Sequence, residues 1–117
     1  MKVRYQADND LKKTILDGIR RREPAVDFRS AQAAGLDSVR DPDVLRRAAV
    51  DGRILVSHDV STMPASFEQF IGSGNRSPGL FLVPQRTPTG AVIESLVLVW
   101  LASEASEWEN PLVWLPL

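Results

Sequence analysis

The stretch Arg53-Ile54-Leu55-Val56-Ser57-His58-Asp59 decides how the rest of the chain is read. Three large apolar residues and a small serine run together, then stop on the chain's only histidine and an aspartate. A short, continuous apolar run of this kind marks a strand buried on both faces, as in a parallel sheet. A helix pattern leads into it. Asp41 reads as N-cap, Pro42 as first helical residue, Val44, Leu45, Ala48 and Ala49 as the inward face, and Gly52 as the stop. After it, Pro64 opens a second helical stretch on Phe67, Phe70 and Ile71.

The same alternation extends in both directions. Val3 to Ala7 is rich in β-formers and reads as a strand. Asp8 or Asp10 then caps a helix with Leu11, Ile15 and Ile19 at four-residue spacing, which Pro24 ends. Ala25 to Ala31 forms a second short strand, and Gly79 to Pro84 a fourth. A long apolar helix starts at Thr87 or Thr89 and runs to near Glu107, and Pro111 to Leu117 adds a terminal strand. Strand and helix alternating throughout predict a single three-layer α/β domain over residues 1–117, with a mainly parallel central sheet of about four to five strands.

Composition narrows the function classes. The chain has 117 residues, 44% hydrophobic and 25% charged, and it lacks cysteine, which excludes disulfides and thiolate metal sites. The charged opening residues predict no signal peptide, and the apolar run Ala91 to Ala102 is too short and too interrupted to span a bilayer. A cytoplasmic protein without membrane contact is expected. Net charge is −1, yet residues 1–60 hold twelve of the fourteen Lys and Arg and ten of the fifteen Asp and Glu. Solvated helix faces account for that as well as a local polyanion contact does.

In open α/β sheets ligands bind outside the carboxyl ends of the strands. Asp8 and Asp10 follow the first strand, His58 and Asp59 the third, and Asp41 and Asp43 begin the helix that feeds it. Carboxylates held close raise one another's pKa unless a cation neutralises them. Mg²⁺ or Mn²⁺ suits such a set, and the ion would steady the charge on a phosphodiester oxygen under attack. Each acid also has a plainer reading: Asp8, Asp10 and Asp41 as caps, Asp43 as a partner of the helix dipole, His58 as a packing residue. Arg20, Arg21, Arg22, Arg46 and Arg47 are the candidate phosphate contacts. Leu96, Val97, Val99 and Trp100 make the last helix apolar on more than one side, which fits a homodimer contact.

These motifs resemble the PIN-like nuclease domains, in particular a small stand-alone bacterial branch related to toxin–antitoxin ribonucleases. That branch opens with a strand ending in D-E-N-L, matched here by Asp8-Asn9-Asp10-Leu11. A D-x-x-(I/V)-L helix follows, matched by Asp41-Pro42-Asp43-Val44-Leu45, and then a strand reading R-(I/V)-L-(V/I)-T-x-D, matched by Arg53 to Asp59. Pro78-Gly79-Leu80-Phe81-Leu82 matches the next strand, and the resemblance covers roughly residues 2–105.

The resemblance implies a divalent-metal-dependent ribonuclease. Asp8, Asp41 and Asp59 take the catalytic and metal-binding positions, with Asp10, Asp43, Ser57 and His58 in support. It also implies an RNA substrate and an antitoxin protein as partner. Two departures stand out: Asn9 replaces a glutamate, and Val60-Ser61-Thr62 follows Asp59 where the branch carries a further acid. A non-catalytic PIN-like module that binds RNA or protein is the alternative they raise. A receiver domain of a phosphorelay shares the acid placement, but Asp59 to Pro64 is one residue too long for its motif, and no lysine ends the fourth strand.

Overall fold

The computed structural model describes all 117 residues. Five strands, β1 (Tyr5–Ala7), β2 (Phe28–Arg29), β3 (Ile54–Ser57), β4 (Leu80–Leu82) and β5 (Leu112–Trp114), alternate with four helices. The helices are α1 (Lys13–Arg22), α2 (Asp41–Val50), α3 (Met63–Gly72) and α4 (Thr89–Ala102). The expected three-layer α/β domain is what the chain forms: all strand pairs are parallel, in the order β2-β1-β3-β4-β5. The register sets Ala7 opposite Val56, and Ser57 opposite Leu82.

Each face of the sheet has its own core. Alternate strand residues Tyr5, Phe28, Ile54, Val56 and Phe81 pack under α1 and α4. Leu55, Leu80 and Leu82 point the other way, onto Val44, Leu45, Met63 and Phe67 of α2 and α3. Residues Ile54 to Ser57 are all buried, as a strand covered on both sides requires.

The chain leaves β1 towards β2 and then turns back across the sheet. α2 and α3 both carry it in that second direction, on one face. α4 carries it the same way but lies against α1 on the other face, so the β4–α4–β5 crossover has the opposite hand. Such crossovers are rare, because strand twist favours the right-handed form in about 98% of cases. Burial supplies the reason here: α1 alone cannot cover Ile54, Val56, Phe81 and Val83, and α4 is the apolar helix left to do so. The Tyr5 hydroxyl fastens it, donating to the Leu96 carbonyl at 2.8 Å inside the core. Tyr5→Phe is therefore expected to cost about 1 kcal/mol in denaturant unfolding, the value of one buried hydrogen bond.

Several boundaries differ from the sequence reading. α1 starts at Lys13 with no side-chain cap, so neither Asp8 nor Asp10 caps it. Asp41 is the first helical residue of α2 rather than its cap, and Arg40 precedes it without a side-chain cap bond. α4 ends at Ala102, and a short 3-10 turn over Ala105–Trp108 takes up the rest of the expected helix. Trp108 packs edge-on against Phe81, while Trp114 is exposed. Leu98 and Leu101 are exposed on α4, and no helix is long and apolar enough to cross a membrane.

Candidate functional site

Because the chain reverses direction between β1 and β3, the segments following those two strands part to opposite faces and leave a crevice at the carboxyl edge. Asp8 and Asp59 lie one and two residues past the ends of the two strands. Ser57 joins them: its hydroxyl donates to Asp8 Oδ2 at 2.7 Å and accepts from the Asp59 backbone N–H at 3.0 Å. Asp8 is only 7% exposed, with its other oxygen accepting from the Asn9 N–H at 2.8 Å. Burial pushes its carboxyl pKa up, and the negative charges of Asp10 and Asp41 add to that, against the hydrogen bonds from Ser57 and Asn9.

Asp10 is open to solvent as a residue, but its carboxylate turns back over the strand ends and accepts from the His58 backbone N–H at 3.1 Å. Desolvation raises its pKa, with the Asp59 charge adding to it and His58 opposing. Asp59 goes the other way. Burial pushes it up, but its hydrogen bonds to Thr62 and Ser61 outweigh that and hold it below the ordinary carboxylate range. Oδ1 accepts from the Ser61 and Thr62 N–H groups at 3.1 and 2.8 Å, the local turn that aspartate commonly nucleates.

The Thr62 hydroxyl lies within hydrogen-bond reach of two carboxylates, Oδ2 of Asp59 and Oδ2 of Asp41, the latter at 2.8 Å. A hydroxyl has one proton, so it can donate to only one of them. The second carboxylate oxygen then faces lone pairs, across two hydrogen-bond lengths from its neighbour. None of Asp8, Asp10, Asp41 and Asp59 forms an ion pair. A hard cation bound through one or two carboxylates and completed by water or phosphate suits this arrangement, and Asp41 with Asp59 could hold it. As arranged, no three of the His, Asp and Glu side chains gather closely enough to enclose an ion unaided.

The remaining candidates fall elsewhere. His58 is 3% exposed and both ring nitrogens are engaged: Nδ1 lies 2.8 Å from the Val83 carbonyl, and Nε2 accepts from the Lys12 N–H at 3.3 Å. With Nε2 accepting and Nδ1 donating, the ring is a brace between the start of α1 and the end of β4. Asp43 turns outward to Arg46, Arg47 pairs with Asp51 at 2.8 Å, and Arg22 pairs with Glu94. Arg20 donates to the Phe28 carbonyl at 3.0 Å. Arg21 and Arg22 end α1, which runs away from the carboxyl edge, so they lie about 13 Å of helix from its start.

Thr62 and Ser61 were not among the residues singled out by sequence. The readable signal was the Asp59-x-Ser61-Thr62 spacing, a turn pattern that lets a carboxylate bond two following N–H groups. The cations that share the acids' edge are also different ones. Lys12 donates to the Gln85 carbonyl at 2.5 Å, Arg40 directly precedes Asp41, and Arg86 follows β4 in the same loop as Gln85.

Beside Asp8 a cleft of about 640 Å³ opens between α1 and the segment after β2. Lys13, Asp17 and Arg20 line one wall, and Gln32 and Asp37 the other. Compared with protein-family models, curated proteins and solved structures, the chain has no match.

Proposed function

We propose that the protein is a divalent-metal-dependent ribonuclease of PIN-like type, hydrolysing phosphodiester bonds at the carboxyl edge between β1 and β3. The observation that carries this reading is the meeting of Asp41 and Asp59 on a single Thr62 proton, beside the buried, uncompensated Asp8. Keeping several carboxylates close without a cation costs stability, and a chain does so where the negative charge has a use. Asp41, Asp59 and Asp8 would hold Mg²⁺ or Mn²⁺ directly or through water, and the bound ion would supply charge stabilisation to the phosphodiester and lower the pKa of water.

The chain's own residues do the rest. Ser57 orients Asp8, the Asp59 turn fixes its carboxylate, and Asp10 faces the same edge, free to accept a proton. Lys12, Arg40 and Arg86 stand where an RNA backbone approaching that edge would meet positive charge. The family resemblance adds the proposal of an antitoxin partner, and composition that of a cytoplasmic setting. The homodimer suggested by the apolar α4 would not use Leu96, Val97 and Val99, which are buried in the core, but the exposed Leu98 and Leu101.

Calorimetric titration with Mn²⁺ tests the reading, on the unaltered protein and on Asp59→Asn, with cleavage of structured RNA assayed on the same samples. Metal binding and cleavage are both expected in the first, with each weakened at least about tenfold in the second. An unaltered protein that binds no Mn²⁺ and leaves RNA intact would refute the nuclease and favour a non-catalytic RNA- or protein-binding role.

A further inference from the structure

We propose that the cleft beside Asp8 is a pocket for one unstacked nucleobase and its ribose, belonging to the nucleotide next to the bond that is cut. This rests on the ribonuclease reading above and assigns that site its substrate contact. At about 640 Å³ the cleft is in the range of pockets that take small organic ligands, and Asp8 forms part of its lining. A phosphodiester held at Asp8 therefore has its neighbouring nucleoside directed into the cleft or out into solvent.

Charge favours the neutral part of a nucleotide there. Asp8, Asp17 and Asp37 outnumber Lys13 and Arg20, which disfavours a second phosphate but suits a base edge that both donates and accepts. Single-stranded RNA is read in this way, by hydrogen bonds to the edges of splayed-out bases and by stacking on guanidinium planes. Arg20 is anchored through one nitrogen to the Phe28 carbonyl, leaving its remaining donors for a ligand. The opposite wall is preformed. The buried Gln6 amide donates to the Ser30 carbonyl at 3.2 Å, and the Ser30 hydroxyl accepts from the Ala33 N–H at 3.1 Å. Gln32 lies between those two anchors and is exposed with Asp37.

The test uses the full chain and the double variant Gln32→Ala/Asp37→Ala, two exposed positions whose loss leaves both cores intact. Binding of the four ribonucleoside 5′-monophosphates is measured by NMR shift perturbation in the presence of Mg²⁺, which neutralises the acids where the phosphate would lie. Cleavage positions are mapped with Mn²⁺ on a randomised single-stranded RNA. The unaltered protein is expected to bind at least one monophosphate, with shifts at the cleft, and to prefer that base beside the cut. The double variant is expected to lose about tenfold in each, equivalent to about one hydrogen bond to the base.

The proposal is overturned if no monophosphate binds, if the variant binds and selects as the unaltered protein does, or if monophosphate binding falls while the cleavage preference is unchanged. This last result would assign the cleft to a free nucleotide. Cleavage that is lost in Asp59→Asn but indifferent to the cleft variant would refute the pocket alone. A protein that binds monophosphates in the cleft but neither binds Mn²⁺ nor cuts RNA would refute the nuclease reading, and this proposal with it.

Discussion

Asp8→Asn is expected to lower RNA cleavage about 100-fold or more while making the fold more stable. The carboxylate is almost fully buried, has no cationic partner, and feels the negative charges of Asp10 and Asp41. Asparagine removes that charge with little loss of hydrogen bonding. Its carbonyl keeps the Asn9 N–H, and its amide can donate to the Ser57 hydroxyl oxygen, which already accepts from the Asp59 backbone N–H. Relief of a buried, unpaired charge should be worth about 1 kcal/mol at neutral pH, or several degrees in Tm. In the proposed nuclease the acid would hold and orient charge at the reacting phosphate, and its loss would lower the rate accordingly. A variant that is less stable than its parent, or one that cuts RNA at the parental rate, would contradict the assignment.

The pH dependence of the same pair fixes the sign independently. The folded-state pKa of Asp8 is raised above its unfolded value, so the native protein binds more protons between the two values and stability falls as pH rises there. The contribution is complete below the unfolded value of about 3.9 and is lost as pH rises through the raised folded value. The stability advantage of Asp8→Asn should therefore shrink steadily as the pH is lowered from 7 towards 4. Asp10 acts in the same sense, and because its charge and that of Asp8 raise one another's pKa, its titration adds to the shrinkage. Asp59, held low, contributes stability that is present above its unfolded value and lost as pH falls through the folded one, below this window. Thermal melts of both proteins across pH 4 to 7.5 read the effect directly.

His58→Ala is expected to destabilise the protein by about 3 kcal/mol. The substitution opens a cavity beneath the carboxyl edge and leaves the Val83 carbonyl and the Lys12 N–H without their partner. Because the ring ties the start of α1 to the end of β4, hydrogen exchange should rise first in the opening turn of α1. A brace and a metal ligand differ in what their removal does. Loss of a brace shows as reduced stability without metal, whereas loss of a ligand lowers Mn²⁺ affinity and leaves the metal-free fold as stable as before. Urea unfolding without metal, followed by Mn²⁺ titration of the folded variant, separates the two, and the second pattern would make His58 a ligand rather than a brace.

The family resemblance and the residues' local patterns point to the same edge of the sheet, but they differ in how far each residue's role could be read. Arg53, which opens the decisive stretch, carried no assigned role. In the structure its guanidinium bonds Asp27 at 2.8 Å and the Tyr5 carbonyl at 3.1 Å, fastening the first turn of β3 to the β1–β2 side. Aspartate before proline is so often a cap that the sequence leaves Asp41 between that role and a place among the metal-binding acids. Its carboxylate instead turns to Thr62, twenty-one residues on, a partner no helix pattern contains. Clustering along the chain makes the five arginines candidate phosphate contacts, yet Asp43, Asp51 and Glu94 neutralise three of them.

Element type and order were legible because they follow from short-range physics: the period of apolar residues, proline and glycine as punctuation, and the continuous burial of Ile54 to Ser57. Those signals act within about one turn or one strand, so the sequence by itself determined an alternating α/β domain with its acids at the carboxyl edge. Tertiary structure alone decided which acids meet, which arginines are already paired, and on which face α4 lies. Those outcomes depend on contacts such as Ser57 with Asp8 and Tyr5 with Leu96, 49 and 91 residues apart, whose energies arise only once both faces of the sheet compete for the remaining apolar helix.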